Sequence, residues 1–254
     1  MGPVGARTYA TCWRPAPTAQ YRVPHLVMSH ESSWPIIERA AAGGDRARRD
    51  FTKRYLPVIR AYLGARWRGG PLVSELDDAV QDVFVECFRE SGALQTMNLA
   101  PEDGRDFRGF LLGVVRNVAR RFESRANRRR EMQPPSSVHL SQIVDDEASL
   151  SQVFDQAWAN NIMRQAAEQQ IENAERRGVA AQQRVEILRL RFHEGLAIRE
   201  IAKLWGVPPA RLHHDYAKAR EDFRAALRQI VGRHHRGSAQ QLDEECERLL
   251  ELLD

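Results

Sequence analysis

A chain of 254 residues has ample material for one large core or two modest ones, so length alone chooses neither. Thirty-eight Lys and Arg against 34 Asp and Glu leave a net charge of +4, yet residues 105–130 alone hold nine arginines against Asp106 and Glu123. The remainder is slightly acidic, and basic surface concentrated in one block suits a polyanion footprint better than general solubility. Cys12, Cys87 and Cys246 lie far apart, form no CxxC and are odd in number, which excludes a disulfide framework and a cysteine zinc site. No metal or cofactor is expected, and a reducing, cytoplasmic location is. No run of about 18 apolar residues is present, so no membrane insertion is expected.

Residues 1–33 are rich in Pro and Arg, show no periodicity, lack the apolar stretch of a secretory signal and are expected to be disordered. Helical pattern begins only at Trp34 to Ala42, which makes Met28 the expected start of the chain. Phe51, Tyr55, Val58, Ile59 and Tyr62 recur at three- and four-residue spacing and predict a helix from about Arg46 to Arg66, ended by Gly69-Gly70-Pro71. After Ser74 a second helix places Val80, Val83, Phe84, Cys87 and Phe88 on one face and Asp78, Asp82 and Glu86 on the other. A loop from Ser91 to Gly104 leads to a third helix, with Phe107, Phe110, Leu111, Val114, Val115, Val118 and Phe122 as its apolar stripe and Asn117 and the arginines opposite. Strand signals are nearly absent, and the fold class is all-α.

The prolines, serines and acids of 131–152 predict an exposed, flexible linker between two helical domains, 34–130 and 153–232. The second opens with Phe154, Trp158 and Ile162 on one face and reaches Val185, Leu188 and Phe192 before Gly195. Ile198, Ile201, Ala202 and Trp205 then make a short helix. Gly206 can take the left-handed conformation that ends it, and Pro208-Pro209 open the next, where a missing N–H is harmless. Leu212, Tyr216, Ala219, Phe223, Leu227 and Ile230 give this longer helix one apolar face, so the pattern is a helix-turn-helix. Its outer face carries Arg211, His214 and Lys218, and Asp215 is spaced to pair with Arg211 or Lys218. The basic break "GRHHRG" precedes an acidic tail, 233–254, read as a capping helix.

The arginine block offers phosphate ligands, and Asn117 offers an amide able to hydrogen-bond a base edge. The acids Asp77, Asp78, Asp82 and Glu86 admit a magnesium-site reading. With no second carboxylate cluster, P-loop or poised nucleophile nearby, docking onto a basic protein surface is the preferred reading, and the chain is not expected to be an enzyme.

Three motifs, in this order, resemble bacterial sigma factors of the extracytoplasmic-function type, over about 40–130 and 150–230. "LDDAVQDVFVECFRE" resembles the region-two helix that binds the β′ coiled coil of core RNA polymerase, which would place that role on Asp78, Gln81, Asp82 and Glu86. "FRGFLLGVVRNVARRFESRANRRR" resembles the part that melts and reads the minus-ten element. The resemblance implies promoter DNA contacts by Arg116, Asn117, Arg120, Arg121, Arg125, Arg128 and Arg129, with Asn117 at the position that helps hold a flipped base. "VEILRLRFHEGLAIREIAKLWGVPPARLHHDYAKAR" resembles region four, implying minus-thirty-five contacts by Arg199, Arg211, His213, His214 and Lys218. The implied function is promoter-specific initiation of transcription, with an anti-sigma factor or other regulator as a further partner the resemblance allows. The chain departs from the family at His213 and Asp215, where a basic residue is usual, and in its acidic tail. A stand-alone helix-turn-helix regulator and, further off, a metal-dependent helical enzyme are the alternatives.

Overall fold

The computed structural model describes residues 33–90, 92–96, 107–132, 147–234 and 238–251, and every regular element among them is helical. The expectations for residues 1–32 and the Met28 start lie outside the described residues. The helices are α1 (Ser33–Ala41), α2 (Asp45–Arg66), α3 (Leu76–Phe88), α4 (Ala93–Thr96), α5 (Phe107–Glu131), α6 (Glu147–Arg177), α7 (Val179–Phe192), α8 (Ile198–Trp205), α9 (Pro209–Gly232) and α10 (Ala239–Glu251), with a 3-10 turn at Pro71–Glu75 before α3. No helix is long and apolar enough to cross a membrane among the described residues.

The apolar stripes of α2, α3 and α5 meet as their spacing dictates: Phe51, Tyr55, Val58, Ile59 and Tyr62 pack with Val83, Phe84, Cys87, Phe107, Leu111, Val115 and Phe122. Burial pushes the Cys87 thiol up to about 12 and the Cys246 thiol up to about 11, leaving both as inert protonated thiols at neutral pH.

The packing does not follow the expected division into two domains. Glu31–Asp254 is one compact unit. Leu150, Phe154, Trp158, Ile162 and Ala166 of α6, Leu227, Ile230 and Val231 of α9 and Leu249 of α10 lie in the same core as α2 and α5. Trp158 stacks on Tyr55 with ring centroids 5.9 Å apart and planes within 6°. Residues 147–152, expected in a linker, are the first turns of α6. The physical reason is the strength of α6's own stripe: large aromatic rings left on a tethered helix gain about 1.5–3 kcal/mol each when buried, far more than a linker's freedom costs.

The helix-turn-helix has a smaller core of its own, built on Ile187, Leu190, Ile201, Ala202 and Leu212. Gly206 adopts φ 64° and ψ 31°, and the Val207 N–H donates to the Ala202 carbonyl at 3.0 Å, closing α8 as expected. On α7 the expected face is wrong: Ile187 and Leu190 are buried, whereas Phe192 is 72% exposed. The segment "VEILRLRF" is apolar on two sides, and only the position of α8 selects between them.

Of the basic break after α9, Arg233 and His234 are among the described residues. His234 is buried, with Nδ1 2.9 Å from the Ile230 carbonyl and Nε2 3.0 Å from the Tyr55 hydroxyl. A carbonyl only accepts, so Nδ1 carries the proton and Nε2 accepts from Tyr55. Burial pushes the His234 imidazole down to about 3, against the Ile230 hydrogen bond and helped by the charges of Arg54 and Arg233. Because the folded value lies below the ordinary value, the unfolded chain binds the proton between pH 3 and 6.5. The stabilisation is complete above pH 6.5 and is lost as pH falls. At pH 5 this group alone is expected to remove about 2 kcal/mol of the stability present at pH 7. Urea unfolding of wild type and His234→Gln at both pH values checks it, and an identical pH dependence in the two proteins would refute the assignment.

Candidate nucleic-acid and docking surfaces

Helix α5 carries its arginines along two edges at four-residue spacing, and each edge faces a different set of carboxylates. Along one, Arg121 meets Glu86 at 3.0 Å, Arg125 meets Asp82 at 3.7 Å and Arg129 meets Glu75 at 3.3 Å. Numbers rise on α5 as they fall on the Glu75–Phe88 segment, the signature of antiparallel helices. Asp82 and Glu86, expected on a free docking face, therefore lie beside three of the arginines expected to meet DNA. Asp78 and Gln81 face solvent, and Asp77 is bonded to Arg60 at 2.8 Å. Ion pairs as exposed as these contribute little, about 0–1 kcal/mol each, so the ladder neutralises charge without locking the helices.

The second edge faces α6. Arg108 is paired with Asp155 at 2.5 Å, the Arg116 guanidinium donates to the Ser151 hydroxyl at 2.7 Å, and Glu147 receives Arg116 at 3.1 Å and Arg120 at 3.7 Å. The 3.1 Å contact is a charge contact rather than an aligned hydrogen bond, since Arg116 Nε finds no hydrogen-bond partner. Asn117 and Arg128 are exposed on the same helix.

Glu147 also reaches a buried cation. Arg66, at the C-terminal end of α2 with 6% of its side chain exposed, donates to Glu147 at 3.0 Å and forks onto Glu123 at 2.6 and 3.1 Å; the Trp67 indole N–H donates to Glu123 at 3.0 Å. The Glu123 hydrogen bond outweighs burial and raises the Arg66 guanidinium above its ordinary value. Partial burial works to raise the Glu147 carboxyl, but the Arg66 hydrogen bond and the charges of Arg66, Arg116 and Arg120 together hold it below the usual carboxylate range. Glu147 is thus an anion at the convergence of three guanidinium groups.

On the helix-turn-helix, Arg199 lies on α8 and Arg211, His213, His214 and Lys218 on α9, all exposed. Asp215 takes Arg211, at 3.9 Å, as its partner. Pro209 at the first turn of α9 and the left-handed Gly206 set the angle at which this helix projects. The helices that carry them, α8 and α9, are held together by the smaller core through Ile201, Ala202 and Leu212.

Arg66, Glu147 and His234 escaped the sequence reading. Arg66 and Glu147 sat at a helix end and in an expected linker. His234 was hidden in a run that reads as basic. The one available signal was the regular 147, 151, 155 spacing of polar residues on α6, which matches 108, 116, 120 on α5 only once the two helices are known to be neighbours.

Among the described residues no group of three or more His, Cys, Asp or Glu side chains is placed to hold a metal ion. No protein-family model matches the chain, and no curated protein matches it at a significant level.

Proposed function

We propose that the protein is a sigma factor of the extracytoplasmic-function type, which docks on core RNA polymerase and directs it to a specific set of promoters. The observation that carries the reading is the combination, in one chain, of an exposed amide flanked by arginines on α5, an acidic helix α3 beside it, and a helix-turn-helix with an exposed outer face. Asp78, Gln81, Asp82 and Glu86 would take the basic surface of the polymerase. Asn117 with Arg116, Arg120, Arg121, Arg125, Arg128 and Arg129 would hold melted minus-ten DNA, meeting the few kcal/mol of unstacking a base. Arg199, Arg211, His213, His214 and Lys218 would contact the upstream duplex. The thin charge of α9 makes it a weak binder alone, because phosphate neutralisation dominates DNA affinity.

The shared core adds a mechanical requirement. Minus-ten and minus-thirty-five positions lie about 85 Å apart along B-form DNA at 3.4 Å per base pair. The compact unit of residues 31–254 has an expected diameter of only about 45 Å. Reading both elements at once therefore requires α6 and α9 to part from α2 and α5. Exposing Phe154, Trp158, Ile162, Leu227, Ile230 and Leu249 costs on the order of 10 kcal/mol, so the energy must come from contacts with polymerase.

The test is run-off transcription with purified bacterial core polymerase on the host gene's own upstream region. A specific transcript is expected. Binding to that duplex with no polymerase association would favour the stand-alone regulator instead, and magnesium-dependent turnover of a small substrate would favour an enzyme. Asp82→Arg is expected to cut co-purification with core polymerase at least tenfold. Because Asp82 makes only a 3.7 Å surface pair with Arg125, thermal unfolding should move by no more than about 1 kcal/mol. Undiminished co-purification would remove the docking role.

A further inference from the structure

We infer that Arg66, Arg116 and Arg120 form a binding site for a backbone phosphate of single-stranded DNA, and that Glu147 occupies this site in the closed chain as an internal stand-in for the phosphate. The inference rests on the reading that α5 meets DNA, and adds to it a buried cation and a competing anion.

Three guanidinium groups from two helices converge on one carboxylate, at 3.0, 3.1 and 3.7 Å. The cluster is built rather than incidental. Arg66 is held from behind by both oxygens of Glu123, itself fixed by the Trp67 indole, so its position does not depend on Glu147. Arg66 and Glu123 neutralise each other, which leaves Arg116 and Arg120 as two cations for one further anion. Arginine forks suit phosphate as well as carboxylate, because both present paired oxygens to planar donors. Asn117, the amide proposed to read a base, follows Arg116 on the same helix about 100° round from it, one turn or less from the anion held here.

The occupant is removable. Glu147 is in the first turn of α6 and its side chain is 39% exposed, whereas the helix is anchored further on by Leu150, Phe154 and Trp158. A DNA strand need only displace the Glu147 side chain to take the site, and parting of α6 from α5 on polymerase would free it completely. In either case Arg116 and Arg120 exchange a carboxylate for a phosphate.

The experiment uses the full chain without polymerase and a fluorescent oligothymidylate of about twenty nucleotides, with affinity followed by anisotropy across a salt series. Glu147→Gln is expected to bind roughly fivefold or more tightly than wild type. Its dependence of log K on log salt should steepen by about 0.7, as for one further phosphate on a single strand. Glu168→Gln makes the same charge change on an exposed position of α6 and is expected to alter affinity less than about twofold, within the additivity of distant sites. Arg120→Gln is expected to matter little in wild type and to cost roughly fivefold in the Glu147→Gln background, a non-additive pattern that a change in fold does not mimic. Ser151→Asp, which adds a second carboxylate opposite Arg116, is expected to weaken binding. Equal effects of Glu147→Gln and Glu168→Gln, or an additive Arg120→Gln, would overturn the inference. A positive cycle without promoter-specific transcription would keep the phosphate site and reject the sigma reading; specific transcription with an additive cycle would do the reverse.

Discussion

Trp158→Ala is expected to destabilise the protein by about 3–5 kcal/mol, the range for removing a buried large aromatic ring. Trp158 is 3% exposed and touches rings on every side of the junction. It stacks on Tyr55, lies 6.5 Å from Phe154 at 12°, tilts against Phe107 at 6.2 Å and meets the edge of His234 at 5.4 Å. The loss therefore falls on the contact of α6 with α2, α5 and the end of α9, rather than on one helix. Urea unfolding followed by near- and far-ultraviolet circular dichroism measures it. Wild type is expected to unfold in one cooperative transition, because residues of both halves share a core. Two separated wild-type transitions, with only one of them moved by Trp158→Ala, would mean that the halves fold independently and would refute the shared core.

Arg66→Ala is expected to cost a similar 3–5 kcal/mol, for a different reason. Deleting one partner of a buried ion pair leaves the other without compensation. Glu123, with 12% of its side chain exposed, would keep only the Trp67 indole N–H, while Glu147 would keep Arg116 and Arg120. The origin of the loss is visible in the double variant. Arg66→Ala with Glu123→Ala removes the stranded carboxylate as well, and is expected to be more stable than Arg66→Ala alone by about 1–3 kcal/mol. If the second substitution adds its own loss instead, the damage comes from packing and the buried charge is not its cause. The same residue serves two ends: Arg66 ties α2 to α5 and α6, and it forms the floor of the inferred phosphate site.

These two clusters and the His234 bond describe one junction held by three kinds of force. Aromatic burial supplies most of the energy. The Tyr55 to His234 hydrogen bond fixes α9 to α2 and makes the junction sensitive to acid. The Arg66, Glu123 and Glu147 group sets the register of α6 along α5 and consumes the positive charge there. Opening such a junction is costly, so under the proposed function its extended form would arise only where contacts with polymerase supply the energy. Helix α10 adds to the closed form, since Leu249 is 1% exposed in the common core and Asp243 pairs with Arg228 at 3.2 Å. Among the described residues of the tail, 238–251, Leu249 packs into the junction rather than onto the core of the helix-turn-helix.

What could be read from the amino-acid order is local. The three- and four-residue recurrence of Phe51, Tyr55, Val58 and Tyr62, the Gly206 to Pro209 turn and the four-residue spacing of the α5 arginines each concern groups within a few turns of one another, where helix geometry dictates which side chains share a face. The all-α class, the bounds of α2 and the helix-turn-helix followed from that. Tertiary structure alone decided what each face meets. Periodicity shows that Phe154 and Trp158 need burial but is silent on whether a helix that starts 16 positions after the end of α5 packs back onto it. Nor does it show that Arg121 finds Glu86 across 35 positions, or that Arg116 and Arg120 find Glu147. On α7, two equally apolar sides competed and the neighbour chose Ile187 over Phe192. His234, which in sequence is only part of a basic break, is buried and accepts a hydrogen bond from Tyr55, 179 positions away. Local order wrote the helices and their charges, whereas long-range packing decided which charges are already spent.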